Sequence, residues 1–165
     1  MDAIDYGKLR AVTADAVRNA LTSIRMRRPK AKLVGFALCT DDNAGTVFPM
    51  AASQVAAEFA FLPNEWDVSD GAEAFSAVRE LLKTRRESGK DGPHEWMKTF
   101  RSFVMALDDV QREGHFGIGA ERDKLVLMVA STDPSEDMDA LQDDWIKELN
   151  PPSVYNKLPK PPGGF

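Results

Sequence analysis

The residues best placed to do chemistry in this chain are three aspartates that follow apolar runs. Leu33-Val34-Gly35-Phe36-Ala37-Leu38-Cys39 leads into Thr40-Asp41-Asp42, and Leu125-Val126-Leu127-Met128-Val129-Ala130 leads into Ser131-Thr132-Asp133. A run without polar alternation reads as a strand covered on both faces, which places these two at the centre of a sheet. If they pair in parallel, Asp41, Asp42 and Asp133 meet at the carboxyl ends of the strands, where α/β proteins often bind ligands. Carboxylate oxygens gathered there could hold a hard cation. Asp is also a favoured turn and capping residue, and Asp133 stands directly before Pro134. Turn and cap chemistry is therefore the leading reading of all three.

The remaining reactive types are sparse. His94 and His115 are the only histidines and flank one predicted helix, a spacing foreign to zinc sites, and Cys39 is the only thiol. On a continuously apolar strand a cysteine is a small core residue before it is a nucleophile. Gly114-His115-Phe116-Gly117-Ile118-Gly119 follows a helix, whereas a phosphate-cradling loop runs from a strand into a helix. It reads as a connection. The basic groups at 25–32 and 83–90 end predicted helices and carry no interleaved aromatics of the kind that stack bases, so they read as solvated faces. Glu65, Trp66, Asp67 and Asp70 join acid to an aromatic in an irregular stretch. An exposed Trp66 would suit a protein interface, with the Asp41-Asp42 turn as a second patch. The alternative is that Trp66 packs half-buried against the core.

The elements that must position these residues can be read from periodicity. Leu9, Val12, Ala16, Ala20 and Ile24 give one apolar face to a helix over 3–27, capped by Asp2 or Asp5 and stopped by Pro29. The strand at 33–40, the turn Asp41-Asp42-Asn43-Ala44-Gly45 and a return strand at 45–49 form a hairpin, in which Pro49 ends the pairing or marks an edge. Ser53 can cap a short helix over 54–61, and Phe75, Val78 and Leu82 line a helix over 70–87. The helix at 94–113 has the clearest stripe, Trp96, Phe100, Phe103, Leu107 and Val110, with Pro93 in its first turn and Gly114 as C-cap. After the strand at 124–131, Pro134 opens a last helix carrying Met138, Leu141, Trp145 and Leu149. The Pro- and Gly-rich tail, 150–165, is expected to be extended, lying over the surface or mobile. The fold class is a small α+β or layered α/β domain, three or more strands packed by about five helices, with no internal repeat.

At 165 residues the chain is expected to form one domain, 1–165, large enough for a substantial core. No apolar run approaches the roughly 20 residues that span a bilayer, and the acidic N-terminus lacks the order of a signal peptide. One cysteine leaves no internal disulfide and fits a reducing compartment, so the cytoplasm is the expected location. A net charge of −5 disfavours general nucleic-acid binding. Neither a cofactor nor a membrane partner is expected.

Taken in order, these parts resemble the bacterial family catalogued as domain of unknown function 4303. The likeness is carried by Phe36-Ala37-Leu38-Cys39-Thr40-Asp41-Asp42, Thr46-Val47-Phe48-Pro49, Glu65-Trp66, Phe116-Gly117, Val126-Leu127-Met128-Val129 with Asp133, and Leu149-Asn150-Pro151-Pro152-Ser153-Val154-Tyr155. The resemblance brings no catalytic residues. It implies an immunity protein that neutralises a cognate toxin by direct contact, non-enzymatic; acid beside an aromatic anchor then makes Glu65, Trp66, Asp67 and Asp70, with Asp41 and Asp42 as a second patch, the partner-binding candidates. The alternative is a small enzyme or a metal- or ligand-binding domain that uses the Asp41, Asp42 and Asp133 edge.

Overall fold

Strand β1 (Gly35–Thr40) lies between β2 (Phe48–Ala52) and β3 (Val126–Ser131) in a computed structural model that describes residues 4–54, 60, 62–133 and 135–159. β1 pairs antiparallel with β2 (Phe36 opposite Ala51, Leu38 opposite Pro49) and parallel with β3 (Phe36 opposite Leu127, Thr40 opposite Ser131). Every residue of β1 and β3 is buried, as their unbroken apolar pattern requires. Phe36, Leu38, Leu127 and Val129 face one apolar cluster, and Ala37, Cys39, Met50, Val126 and Met128 face a second on the other side of the sheet.

Helix α1 (Tyr6–Arg27) and helix α3 (Pro93–Arg112) cover the first face. Asp5 caps α1, its side chain accepting from the Lys8 amide at 3.1 Å. Successive contacts, Tyr6 with Glu95, Arg10 with Asp109, Arg18 with Glu113 and Arg25 with His115, advance along both helices together. The two helices are therefore parallel, and their C-termini share one end of the molecule. The α3 stripe behaves as its spacing predicts: Phe100, Phe103, Leu107 and Val110 are fully buried, while Trp96 is partly buried against them. Helix α2 (Ser76–Glu87) adds Val78 and Leu82 to the same core.

Helix α4 (Glu136–Leu149) packs along β3, and the short α5 (Pro152–Tyr155) places Val154 in the second cluster. Side chains from this region finish the outer edge of β3. Asn150 Oδ1 accepts from the Leu127 amide and Asn150 Nδ2 donates to the Leu127 carbonyl, both at 2.8 Å, as a neighbouring strand would. Gln142 Oε1 accepts from the Ser131 amide at 2.6 Å. On the opposite edge, Val68 exchanges both backbone bonds with Ala51 at 2.8 and 3.0 Å. Pro49 has the same strand parity as Ala51, so a residue without an N–H sits where an outward donor would otherwise stand.

Several boundaries differ from the sequence reading. The return strand runs over Phe48–Ala52 rather than 45–49, because Asp41 Oδ1 takes the Gly45 amide at 2.6 Å and Ala44 adopts φ 50°, which keeps this stretch in a turn. Pro49 marks an edge and does not end the pairing. Ahead of α2, residues Ala72–Phe75 form a 3-10 turn entered through Gly71 at φ 95°, so the helix starts later than 70. Ser135 caps α4, accepting from the Met138 amide at 3.3 Å. The tail is not extended at its start: Asn150 is buried and Pro152 opens α5. The helix expected over 54–61 lies almost wholly outside the described residues, as do Pro134 and 160–165.

Candidate functional site

Parallel pairing does bring the two hydroxyl-Asp steps to one end of the sheet, and the Thr132 amide bonds the Thr40 carbonyl across them at 2.7 Å. Asp41 is half-buried and spent on the Gly45 amide, which Asn43 Oδ1 also accepts at 3.1 Å. Asp42 accepts from the Ser131 hydroxyl at 2.6 Å. Asp133 is exposed, and its amide donates to that same hydroxyl at 3.1 Å. The Asp41 and Asp42 carboxyl groups thus fasten a turn and a strand end, while Asp133 joins through its backbone amide. Among the described residues, no three His, Cys, Asp or Glu side chains stand where they could share a metal ion.

This end of the sheet is locked from beside by a residue the sequence reading placed on a solvated face. Arg85 is completely buried. Its Nη1 donates to Thr99 Oγ1 at 2.7 Å, and its Nη2 donates to the Asn43 carbonyl at 2.7 Å and to Asp91 Oδ1 at 3.1 Å. One guanidinium therefore joins the β1–β2 turn, the α2–α3 corner and α3. Burial pulls its pKa down against the pull of Asp91. Asp91 also accepts from Trp96 Nε1 at 2.7 Å, so both sides of the corner converge on it. Alongside, the Tyr6 hydroxyl donates to the Glu95 carboxylate. That bond is the first cause holding Glu95 down to about 2, while burial, followed by the Glu95 bond, raises the tyrosine pKa.

The acidic–aromatic stretch also turns inward. Trp66 is 6% exposed and lies on the second face of the sheet, so it is not an exposed anchor. A Cβ on Gly35 would come within 2.8 Å of its ring, which explains the glycine in the middle of an apolar run. Asp67 accepts from the Ser53 amide at 2.9 Å and from the Ser53 hydroxyl. Burial opposes its charge, but these two bonds carry its pKa below the ordinary value. Asp70 accepts from Arg28 Nε at 2.5 Å, a bond that lowers its pKa, and Arg27 approaches it at 3.6 Å. Glu65 is exposed, and its carboxylate accepts from the neighbouring Asn64 side-chain amide at 3.3 Å.

The remaining candidates stay apart. Cys39 is buried in the sheet, which pushes its thiol up to about 12 and removes it as a nucleophile. The His94 side chain is 80% exposed, and His115 rests against Glu113 at the far end of α3.

A family model described as a domain of unknown function, DUF4303, matches residues 14–151. The chain belongs to the DUF4303 family. The matched span takes in the whole sheet, Arg85 and the Asn150 edge cap. Comparison with curated proteins and with solved structures gives no match. No described helix is long and apolar enough to cross a membrane.

A second buried arginine completes the DUF4303 framework. Arg122 donates to Gln111 at 3.0 Å and to the carbonyls of Leu125 and Leu149 at 2.6 and 2.7 Å, and it also reaches Asn150 Oδ1 at 3.3 Å. Neither arginine was singled out from sequence. Arg85 could have been found, since Val78, Leu82 and Arg85 follow one helical stripe at four- and three-residue spacing. Arg122 stands among charged neighbours in Glu121-Arg122-Asp123-Lys124 and carries no such signal.

Proposed function

We propose that this DUF4303 chain is a non-enzymatic binding protein, an immunity protein that neutralises a cognate bacterial toxin by direct contact in the cytoplasm. The observation that carries this reading is the use the fold makes of its reactive groups. Asp42, Asp67, Asp70 and Glu95 each accept a bond from a segment distant in sequence, and Asp41 holds its own turn through the Gly45 amide. Groups committed in this way stabilise a scaffold, whereas catalysis keeps an acid, base or nucleophile aimed at a substrate position. What such a scaffold offers to a partner is its exposed side chains, held on rigid helices and short loops.

Co-expression with the polypeptide encoded by the adjacent gene tests the proposal. The expected outcome is rescue of growth together with co-purification of the two chains. Failure of both would refute it.

A further inference from the structure

Two large aliphatic side chains stand out on the end of the molecule where α1 and α3 terminate: Met26 is 77% exposed and Ile118 is 78% exposed. Their segments are tied together, because Arg25 Nη2 donates to the His115 carbonyl at 2.5 Å. The loop bearing Ile118 is anchored from within. Phe116 is 4% exposed and packs on Phe36 with ring centroids 5.3 Å apart, while Gly114, Gly117 and Gly119 all adopt positive φ. These glycines supply the reversals that leave Phe116 inside and Ile118 outside. A β-branched apolar residue projected from a firmly seated loop gains nothing for the fold.

The charge around the two tips is basic. Arg27 and Arg28 are taken up by Asp70 and Glu73, and Glu113 and Glu121 are paired with Arg18 and Lys124. That leaves Arg25, Lys30 and Lys32, exposed on the same stretch of chain as Met26. The chain's net charge of −5 does not cancel them, since residues 133–148, along the β3 side, hold seven carboxylates and one lysine. At physiological ionic strength the screening length is about 8 Å, so a partner at the α1–α3 end meets the local positive charge.

We infer that the Met26–Ile118 end is the surface that docks the protein partner, and that the partner presents an apolar recess with an acidic rim. The inference rests on the binding function proposed above. Met and Ile supply adaptable and rigid apolar contact at the centre, and the lysines steer encounter. Among the described residues no exposed Phe, Tyr or Trp stands at this end, which argues for protein over single-stranded nucleic acid.

The test measures binding of the purified chain to the purified polypeptide encoded by the adjacent gene. Ile118→Glu is expected to weaken Kd by at least about tenfold. Lys30→Glu with Lys32→Glu should slow association about tenfold and flatten its salt dependence. Both variants should melt within about 2 °C of wild type, because the altered side chains are exposed. Asp137→Lys on α4 serves as a control and should bind as wild type does. If wild type binds and the Ile118 and lysine variants bind equally well, this surface is wrong while the binding function stands. If wild type does not bind, both fall. Wild-type binding to vesicles of phosphatidylcholine and phosphatidylserine that Ile118→Glu abolishes would assign the patch to a lipid surface and overturn the inference.

Discussion

Replacing Asn150 by alanine tests whether a single side chain substitutes for a missing β-strand. Asn150 is 5% exposed and closes both backbone groups of Leu127 at 2.8 Å. Asn150 Nδ2 also donates to the Ile146 carbonyl at 2.8 Å and Oδ1 accepts from Arg122 at 3.3 Å, but losing these leaves neither partner bare, because the Ile146 carbonyl keeps the Asn150 amide at 3.1 Å and Arg122 keeps the Leu149 carbonyl at 2.7 Å. The loss therefore falls on one buried N–H and one buried C=O. Each buried polar group left unpaired costs about 1–3 kcal/mol, so the variant should lose about 2–6 kcal/mol. Against a domain stability of about 5–15 kcal/mol that is a large fraction. Urea denaturation should show a lower midpoint with an unchanged m-value. Hydrogen exchange should show the Leu127 amide losing protection ahead of its neighbours in β3. A loss below about 1 kcal/mol in Asn150→Ala, with the Leu127 amide still protected, would refute the substitution argument.

Four further outcomes follow from the same structure. Phe103→Ala removes a fully buried ring from the α3 stripe and should cost about 3–5 kcal/mol in a denaturation experiment. Trp66→Ala should destabilise by a similar amount, and Gly35→Ala by about 1–3 kcal/mol; the double variant should cost less than the sum, because the clash needs both side chains. Glu95 titrates at about 2 in the folded chain against about 4.3 when unfolded, so its contribution is present above about 4.3 and lost as pH falls towards about 2. Tyr6→Phe removes the bond responsible and should flatten the stability–pH curve in that window. Calcium, magnesium and manganese should leave the melting temperature unchanged, and a shift abolished by Asp41→Asn with Asp133→Asn would restore the carboxylate edge as a site.

Legibility in the sequence follows the range of the interactions involved. β1 and β3 could be read directly, because burial on both faces writes itself as an unbroken apolar run. The α3 stripe was equally plain, since each turn of that helix buries its own residues. The second strand shifted because one side chain, Asp41, takes the amide of Gly45 and holds a turn where alternation suggested a ladder. Trp66 turned inward because Gly35, distant in sequence, leaves a recess of the shape of its ring. Arg85 escaped because its acceptors, the Asn43 carbonyl and Asp91, come from elements that only the folded chain brings together. Asp41, Asp42 and Asp133 follow strands as the apolar runs require, but the occupation of Asp41 by Gly45, Asp42 by Ser131, Asp67 by Ser53 and Asp70 by Arg28 could be seen only in three dimensions.

The finishing of both sheet edges has a consequence for how this molecule can change over time. With Asn150 and Gln142 along β3, and Val68 and Pro49 along β2, the backbone offers little template for another chain to extend the sheet or seed a fibril. Under the binding function proposed above, recognition is left to side chains standing on helices and loops. Such residues can be exchanged singly, most within about half a kcal/mol of neutral for the fold. A lineage under pressure from a changing adversary can thus rewrite its contact surface step by step, while the sheet, its buried arginines and the asparagine at its edge stay as they are.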